Sequence, residues 1–167
     1  MMTRKALFVA LAAVTLAVPA GAEVNQNGEA VVTAAGLPGF LRLAGYEPTK
    51  VSDRHYEIVE RAVGKKLRFH VVISESGRKV WLEVACKEFQ NTDGVPRANM
   101  VRMLEENYER GPFHFVIGKS LYPDTPNLKS IIALVPVENR NMTTDMFKSY
   151  LKFLIRNLEE TKAIWDY

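Results

Sequence analysis

Gly118-Lys119-Ser120 closes the apolar run "RGPFHFVIGKSLYP" and is the stretch of the chain most like a cofactor motif. A phosphate-binding loop requires G-x-x-x-x-G-K-[ST], because its glycines let successive backbone N–H groups wrap the phosphates. The first glycine would fall at position 113, which is Phe113, and Gly111 stands two residues too early. The intervening residues are bulky and alternating, and "LYPDTP" after Ser120 cannot open a helix. The segment reads instead as a helix stop followed by a strand: Phe113, Phe115 and Ile117 face a core, while His114 and Val116 face outward.

Other chemistry is equally sparse. His55, His70 and His114 show no H-x-x-x-H spacing, and the single cysteine, Cys86, has no C-x-x-C partner. His70 and His114 take the polar phase of their strands and could meet on one sheet face, although exposed strand histidines are the plainer reading. Cys86 alternates in phase with Val80, Leu82 and Val84, opposite to the histidines, and reads as a buried, inert thiol. A reactive thiol or an intermolecular bridge stays open. No G-x-S-x-G elbow occurs, and "SESG" is a turn. Glu105-Glu106 and Glu159-Glu160 are adjacent on helices, where neighbours diverge by roughly 100°, so neither pair forms a two-carboxylate site. No catalytic, cofactor-binding or metal-binding residue is expected, and the chain reads as a non-enzyme with no cofactor.

The elements that position these residues follow from periodicity. "GLPGFLRLAGYEP" suits a short helix, with Pro38 in its first turn, Gly45 ending it, and Leu37, Phe40, Leu41 and Leu43 or Ala44 on its apolar face. Three strand-like runs come next. "HYEIVERA" is followed by "KLRFHVVISESG", where Leu67, Phe69, Val71 and Ile73 alternate with Arg68, His70, Val72 and Ser74, and then by "RKVWLEVACKEF". In "NTDGVPRANMVRMLEENYERG", Met100, Met103, Leu104 and Tyr108 recur at helical spacing. "FHFVIGKSLY" and "SIIALVPVEN" are two further strands, separated by "PDTPN". "MTTDMFKSYLKFLIRNLEETKAIWDY" is the longest helical signal, with Thr143 as N-cap, Asp145 in the first turn, and a stripe of Phe147, Leu151, Leu154 and Leu158. The order α-β-β-β-α-β-β-α, without repeat or linker, describes one α+β domain over residues 35–167.

Residues 1–22 read as a signal peptide. Arg4 and Lys5 precede the uncharged run Ala6 to Val18, and Ala20-Gly21-Ala22 has the small-x-small pattern of a cleavage site. A retained membrane-anchored helix is the alternative, but the run is short for a span, which needs about 20 residues. Residues 23–34 read as a flexible lead-in. The expectation is an exported protein, periplasmic or extracellular, with no stable membrane insertion after cleavage. Without Arg4 and Lys5, 20 Lys/Arg face 19 Asp/Glu, and the positive charge is scattered rather than striped, so nucleic-acid binding is not expected.

"MVRMLEENYERGPFHFVIG", followed by "IIALVPVENRNMTTDMFKSYLKFLIRNLEETKAIWD", resembles the YbjN-like proteins and the related type III secretion chaperones. The matching features are Met103, Leu104 and Asn107 on a helix and Phe113, Phe115 and Ile117 on a strand. An apolar strand, a helix start at Met142 to Met146 and a terminal Trp165 complete the pattern. The resemblance spans roughly residues 37 to 167. It implies a five-stranded antiparallel sheet with three helices, often dimeric, that binds peptide segments of partner proteins and catalyses nothing. Those chaperones are typically acidic and cytoplasmic, unlike this near-neutral chain with its leader, so the fold would be redeployed outside the cytoplasm.

The functional expectation is therefore a protein-interaction module that binds a protein or peptide through the sheet's non-core face and an exposed helix. His70, Val72, Trp81, His114 and Val116 share the outward phase and form the candidate partner-binding face. A covering helix or a homodimer partner is an equal alternative for the same face. The rival function is a small-ligand sensor or cryptic enzyme with a pocket near His70, His114 and Tyr56.

Overall fold

The computed structural model describes residues 21–24 and 28–167. In chain order its elements are β1 (Ala22–Val24), β2 (Ala30–Val32), α1 (Leu37–Leu43), β3 (Thr49–Ser52), β4 (His55–Ala62), β5 (Lys65–Ile73) and β6 (Lys79–Phe89). A 3₁₀ turn at Thr92–Gly94 leads to α2 (Arg97–Glu109), β7 (His114–Lys119), β8 (Lys129–Glu138), α3 (Thr144–Glu160) and α4 (Lys162–Trp165). β1 and β2 form a two-stranded sheet, and the other six strands form an antiparallel sheet in the order β3-β4-β5-β6-β8-β7.

Period-two alternation gives the large sheet one greasy face. Ile58, Phe69, Val71, Leu82, Val84, Ile131, Ala133 and Val135 are fully buried there and join one cluster with side chains of α1, α3 and α4. α3 starts as its sequence implies, with the Thr143 side chain accepting from the Met146 N–H at 3.2 Å. Its stripe of Phe147, Leu151, Leu154 and Leu158 is buried, and the Phe147 ring meets Phe40 of α1 edge-on at 5.8 Å. In α1 it is Ala44, not Leu43, that turns inward.

Two asparagines act as pieces of backbone. The Asn107 amide of α2 donates to the Phe115 carbonyl at 2.9 Å and accepts from the Phe115 N–H, docking α2 along the edge strand β7. Asn139, just past β8, accepts from the Val32 N–H at 3.0 Å and donates to the Val32 and Gly77 carbonyls, each at 2.8 Å. That side chain fastens the β1–β2 hairpin to the domain. Residues 23–34, expected as a lead-in, contain this hairpin, and Ala22 at the expected cleavage site is its first strand residue. Residues 1–20 of the expected leader lie outside the described residues. At the hairpin's far side the Gly21 and Gly36 backbones touch; a Cβ on Gly36 would fall 1.8 Å from the Gly21 carbonyl oxygen.

The expected five-stranded sheet with three helices is overturned by this architecture, which among the described residues has eight strands in two sheets and four α-helices. The five long expected strands correspond to β4 through β8, and the missed elements have identifiable causes. β3 is a four-residue polar edge strand, largely exposed, with no apolar alternation to announce it. β1 and β2 are three residues each and are held by side chains more than a hundred residues away. α4 arises because α3 breaks at Thr161, whose N–H and hydroxyl both bond the Asn157 carbonyl. The chain then turns, and Ile164 and Trp165 enter the core, with Trp165 Nε1 donating to the Leu158 carbonyl at 3.3 Å.

Candidate functional site

The outer face of the large sheet can be rebuilt row by row from its register. One row crosses His55 (β4), Val72 (β5), Trp81 (β6) and Pro136 (β8). The next runs Glu57, His70, Glu83, Leu134 and His114, and Val116 pairs with Ile132 beyond it. All five expected face residues, His70, Val72, Trp81, His114 and Val116, therefore lie on this face. Their environments differ: His70 is fully buried, Val72, Trp81 and His114 are half-buried, and Val116 is exposed.

His70 and His114 share a row but do not meet. β6 and β8 lie between them, which puts three strand spacings, about 14 Å, between their backbones. Tyr56, the third expected member of a ligand pocket, is buried in the core on the opposite face, so that trio does not converge. His70 instead meets His55, whose Nε2 lies 2.7 Å from His70 Nδ1, one ring donating to the other.

A strap covers this pair. Residues 120–128, the β7–β8 connection, fold back over the outer face so that the Tyr122 ring centre sits 5.4 Å from that of His70. The Arg68 guanidinium lies over the Tyr122 ring at 3.9 Å and reaches Glu57 at 3.8 Å. At the strap's root, Glu88 Oε1 accepts from the hydroxyls of Ser120 and Thr125. Ser120, the last residue of the Gly-Lys-Ser triplet, is thus a strap anchor, and Gly118 and Lys119 are strand residues.

Burial sets the electrostatics. It drives the His70 ring down to about 3, helped by the neighbouring His55 and Arg68, so the ring is neutral at physiological pH. Burial also lowers His55 and raises Glu83 and Tyr122. His70 Nε2 and Ser130 Oγ are buried without a hydrogen-bond partner. Among the described residues no group of three or more His, Cys, Asp or Glu side chains is placed to hold a metal ion.

The thiol expectation meets an irregularity in β6. Register shifts between Ala85 and Lys87, so Cys86 is the extra residue of a β-bulge. Its Sγ lies 3.8 Å from the Val84 carbonyl, and burial pushes the thiol up to about 12. Past the bulge the phase inverts, and Glu88 pairs with Ser130 on the outer face.

Hollows lie elsewhere among the described residues. A polar cleft of about 420 Å³ between the hairpin and the β5–β6 turn is lined by Glu29, Arg78, Asn139 and Arg140. An apolar hollow of about 520 Å³ on α3 involves Pro112, Met146, Tyr150 and Phe153. A third, about 270 Å³, lies between α2 and β7. The contacts of His55, Tyr122 and Asn139 were not expected. Tyr122 was expected as the last residue of the strand "FHFVIGKSLY", but β7 ends at Lys119 and Tyr122 lies in the strap.

Fold and face together define an α+β protein with a helix-covered core face and a strapped, half-open outer face. Compared with models of known families, with curated proteins and with solved structures, the chain matches none. No helix among the described residues is long and apolar enough to cross a membrane.

Proposed function

We propose that the chain is an exported, non-enzymatic module that binds a protein or peptide on the unstrapped part of the sheet's outer face. The observation that carries this reading is the row of Val72, Trp81 and Pro136, aligned across three central strands. The buried side chains of α1, α3 and α4 belong to the cluster on the opposite side. Beside the row stand the buried Leu134 and the half-buried His114, and Val116 is exposed at the sheet edge. An aligned apolar row with a half-buried tryptophan at its centre offers an anchor of the kind that dominates binding energy at protein interfaces.

The leader-like pattern of Arg4, Lys5, Ala6 to Val18 and Ala20-Gly21-Ala22 supports export. The resemblance to YbjN-like proteins and type III secretion chaperones points toward peptide binding rather than catalysis. The test is affinity capture from a cell-envelope fraction with the parent chain and with Trp81→Ala. The expected outcome is a partner lost from the variant while circular dichroism and melting temperature are retained. Equal capture by both proteins would refute the surface, and an unfolded variant would place Trp81 among the core residues.

A further inference from the structure

The strap is tied down at few points. The β7–β8 ladder ends at Lys119 and Lys129, so residues 120–128 leave and rejoin the sheet at adjacent positions, and none of them belongs to a strand or helix. The loop bonds mainly to itself: the Ser120 N–H donates to the Leu128 carbonyl at 3.0 Å, the Thr125 N–H to the Tyr122 carbonyl at 3.2 Å, and the Leu128 N–H to the Thr125 carbonyl at 3.1 Å. Its root is the pair of hydroxyls on Glu88, and its far contact is the Tyr122 ring, set against His70 and Arg68.

What lies under that ring cannot take a proton while covered. His55 Nε2 and His70 Nδ1 are 2.7 Å apart, so one ring donates and the other accepts. If His55 donates, charging His70 means protonating Nδ1, which sets N–H against N–H and breaks the bond. If His70 donates, the added proton goes to His70 Nε2, which is buried without a partner, and a charged donor there has nothing to solvate it. Either tautomer therefore holds His70 neutral for as long as Tyr122 stays down. The other charged or titratable groups facing the ring are Glu57 of β4, Arg68 of β5 and Glu83 of β6, with Tyr122 itself. The Arg68 cation also disfavours a charge on His70, while Glu83, raised by burial, works in the opposite sense as pH falls.

We infer that the strap is an acid-opened cover: His70 takes a proton only when Tyr122 lifts away from it, so falling pH favours the lifted strap. Lifting hydrates His70 Nε2, frees the His55–His70 pair to separate and releases Arg68 from the Tyr122 ring. It also joins the covered half of the outer face to the open half, because Val72 is the cross-strand partner of both His55 and Trp81. The device stands on the strap and the histidine pair alone, whether or not the open row binds a partner.

The test is amide hydrogen exchange at pH 7.5 and pH 5.5, with each rate divided by that residue's intrinsic rate at the same pH. The covered ring titrates at about 3 and an uncovered one near 6.5, so acidification over this range raises the lifted population about 10-fold. The Tyr122, Thr125 and Leu128 amides are expected to lose about 10-fold in protection, at levels well below those of the β4 to β8 ladders, as local opening requires. In His70→Phe the ratio between the two pH values should fall close to one. Tyr122→Ala, a change within the loop, should leave the strap poorly protected at both pH values, with the ratio again close to one. Circular dichroism checks that each variant is folded. Strap protection that is equal at both pH values in the parent chain, that matches the ladders throughout, or that keeps its pH dependence in a folded variant would overturn the inference.

Discussion

Replacing Asn139 with alanine isolates the contact that ties the β1–β2 hairpin to the domain. Asn139 is 1% exposed and its amide makes three hydrogen bonds, two to Val32 and one to Gly77. If the hairpin stayed in place, the Val32 N–H and C=O would be buried without partners, each costing roughly 1–3 kcal/mol. If it swung away to hydrate them, Val32, itself 1% exposed, would lose burial worth roughly 1.5–3 kcal/mol. The chain takes the cheaper route, so the loss is capped near about 2–3 kcal/mol. For a domain of this size that lowers the melting temperature by roughly 5–10 °C. Urea unfolding gives the energy, and hydrogen exchange distinguishes the routes: detachment removes protection from the amides of residues 30–32 while β4 to β8 stay protected. Asn141→Gly is the control, because it removes only an exposed bond to the Ala30 N–H and keeps a residue that tolerates φ 51°; it should cost below about 1 kcal/mol. A loss under about 1 kcal/mol in Asn139→Ala, with unchanged exchange at residues 30–32, would refute the reasoning.

Stability should fall on mild acidification, because the folded state holds His70 neutral. Its ring is depressed from 6.5 to about 3, so this contribution is complete above about pH 6.5 and is lost as pH falls toward 3. Between pH 7.5 and 5 the loss is about 2 kcal/mol. His55 acts in the same sense, while Glu83, raised by burial, acts in the opposite one. The measurement is urea unfolding across that range for the parent chain and His70→Phe, with a flatter slope expected in the variant; equal slopes would rule out His70 as the source. Cys86, only partly buried against the core and with its thiol raised to about 12, should react with a thiol-specific reagent much more slowly at pH 8 in the folded protein than in urea. Equal labelling rates in the two states would refute this.

Elements were legible where one face repeats for long enough. β4 through β8 and α1 through α3 each carry several turns or pleats of pattern, and each lies where that pattern places it. The hairpin was not legible because what makes it structured is Asn139, remote in sequence and unremarkable in composition. Nor was the division of labour on α2: Met103 and Tyr108 fit one helical stripe, yet one is 4% and the other 92% exposed. Spacing defines a face, but only the neighbouring strand decides which part of it is covered. The candidate face was legible as a face, since alternation alone puts Val72, Trp81, His114 and Val116 together. The partner of His70 was not, because two residues of like phase on different strands can be neighbours or three strands apart.

The bulge at Cys86 connects these local facts. Had β6 alternated without interruption, Glu88 would share the inward phase of Leu82 and Val84, and no carboxylate would stand on the outer face opposite Ser130. The extra residue moves Glu88 outward, where it accepts from Ser120 and Thr125 and fixes the root of the strap. With its root fixed, the strap carries Tyr122 onto His70 and under the Arg68 guanidinium, on the β4–β5 side of the sheet. His70 is fully buried in that arrangement, and its pairing with His55 and its low pKa follow from that burial. The strap's hydrogen bonds and ring contacts fall on Glu88, His70 and Arg68, and Val72, Trp81 and Pro136 are left half-buried. One inserted residue in β6 therefore decides which half of the outer face is roofed and which half remains available to a partner.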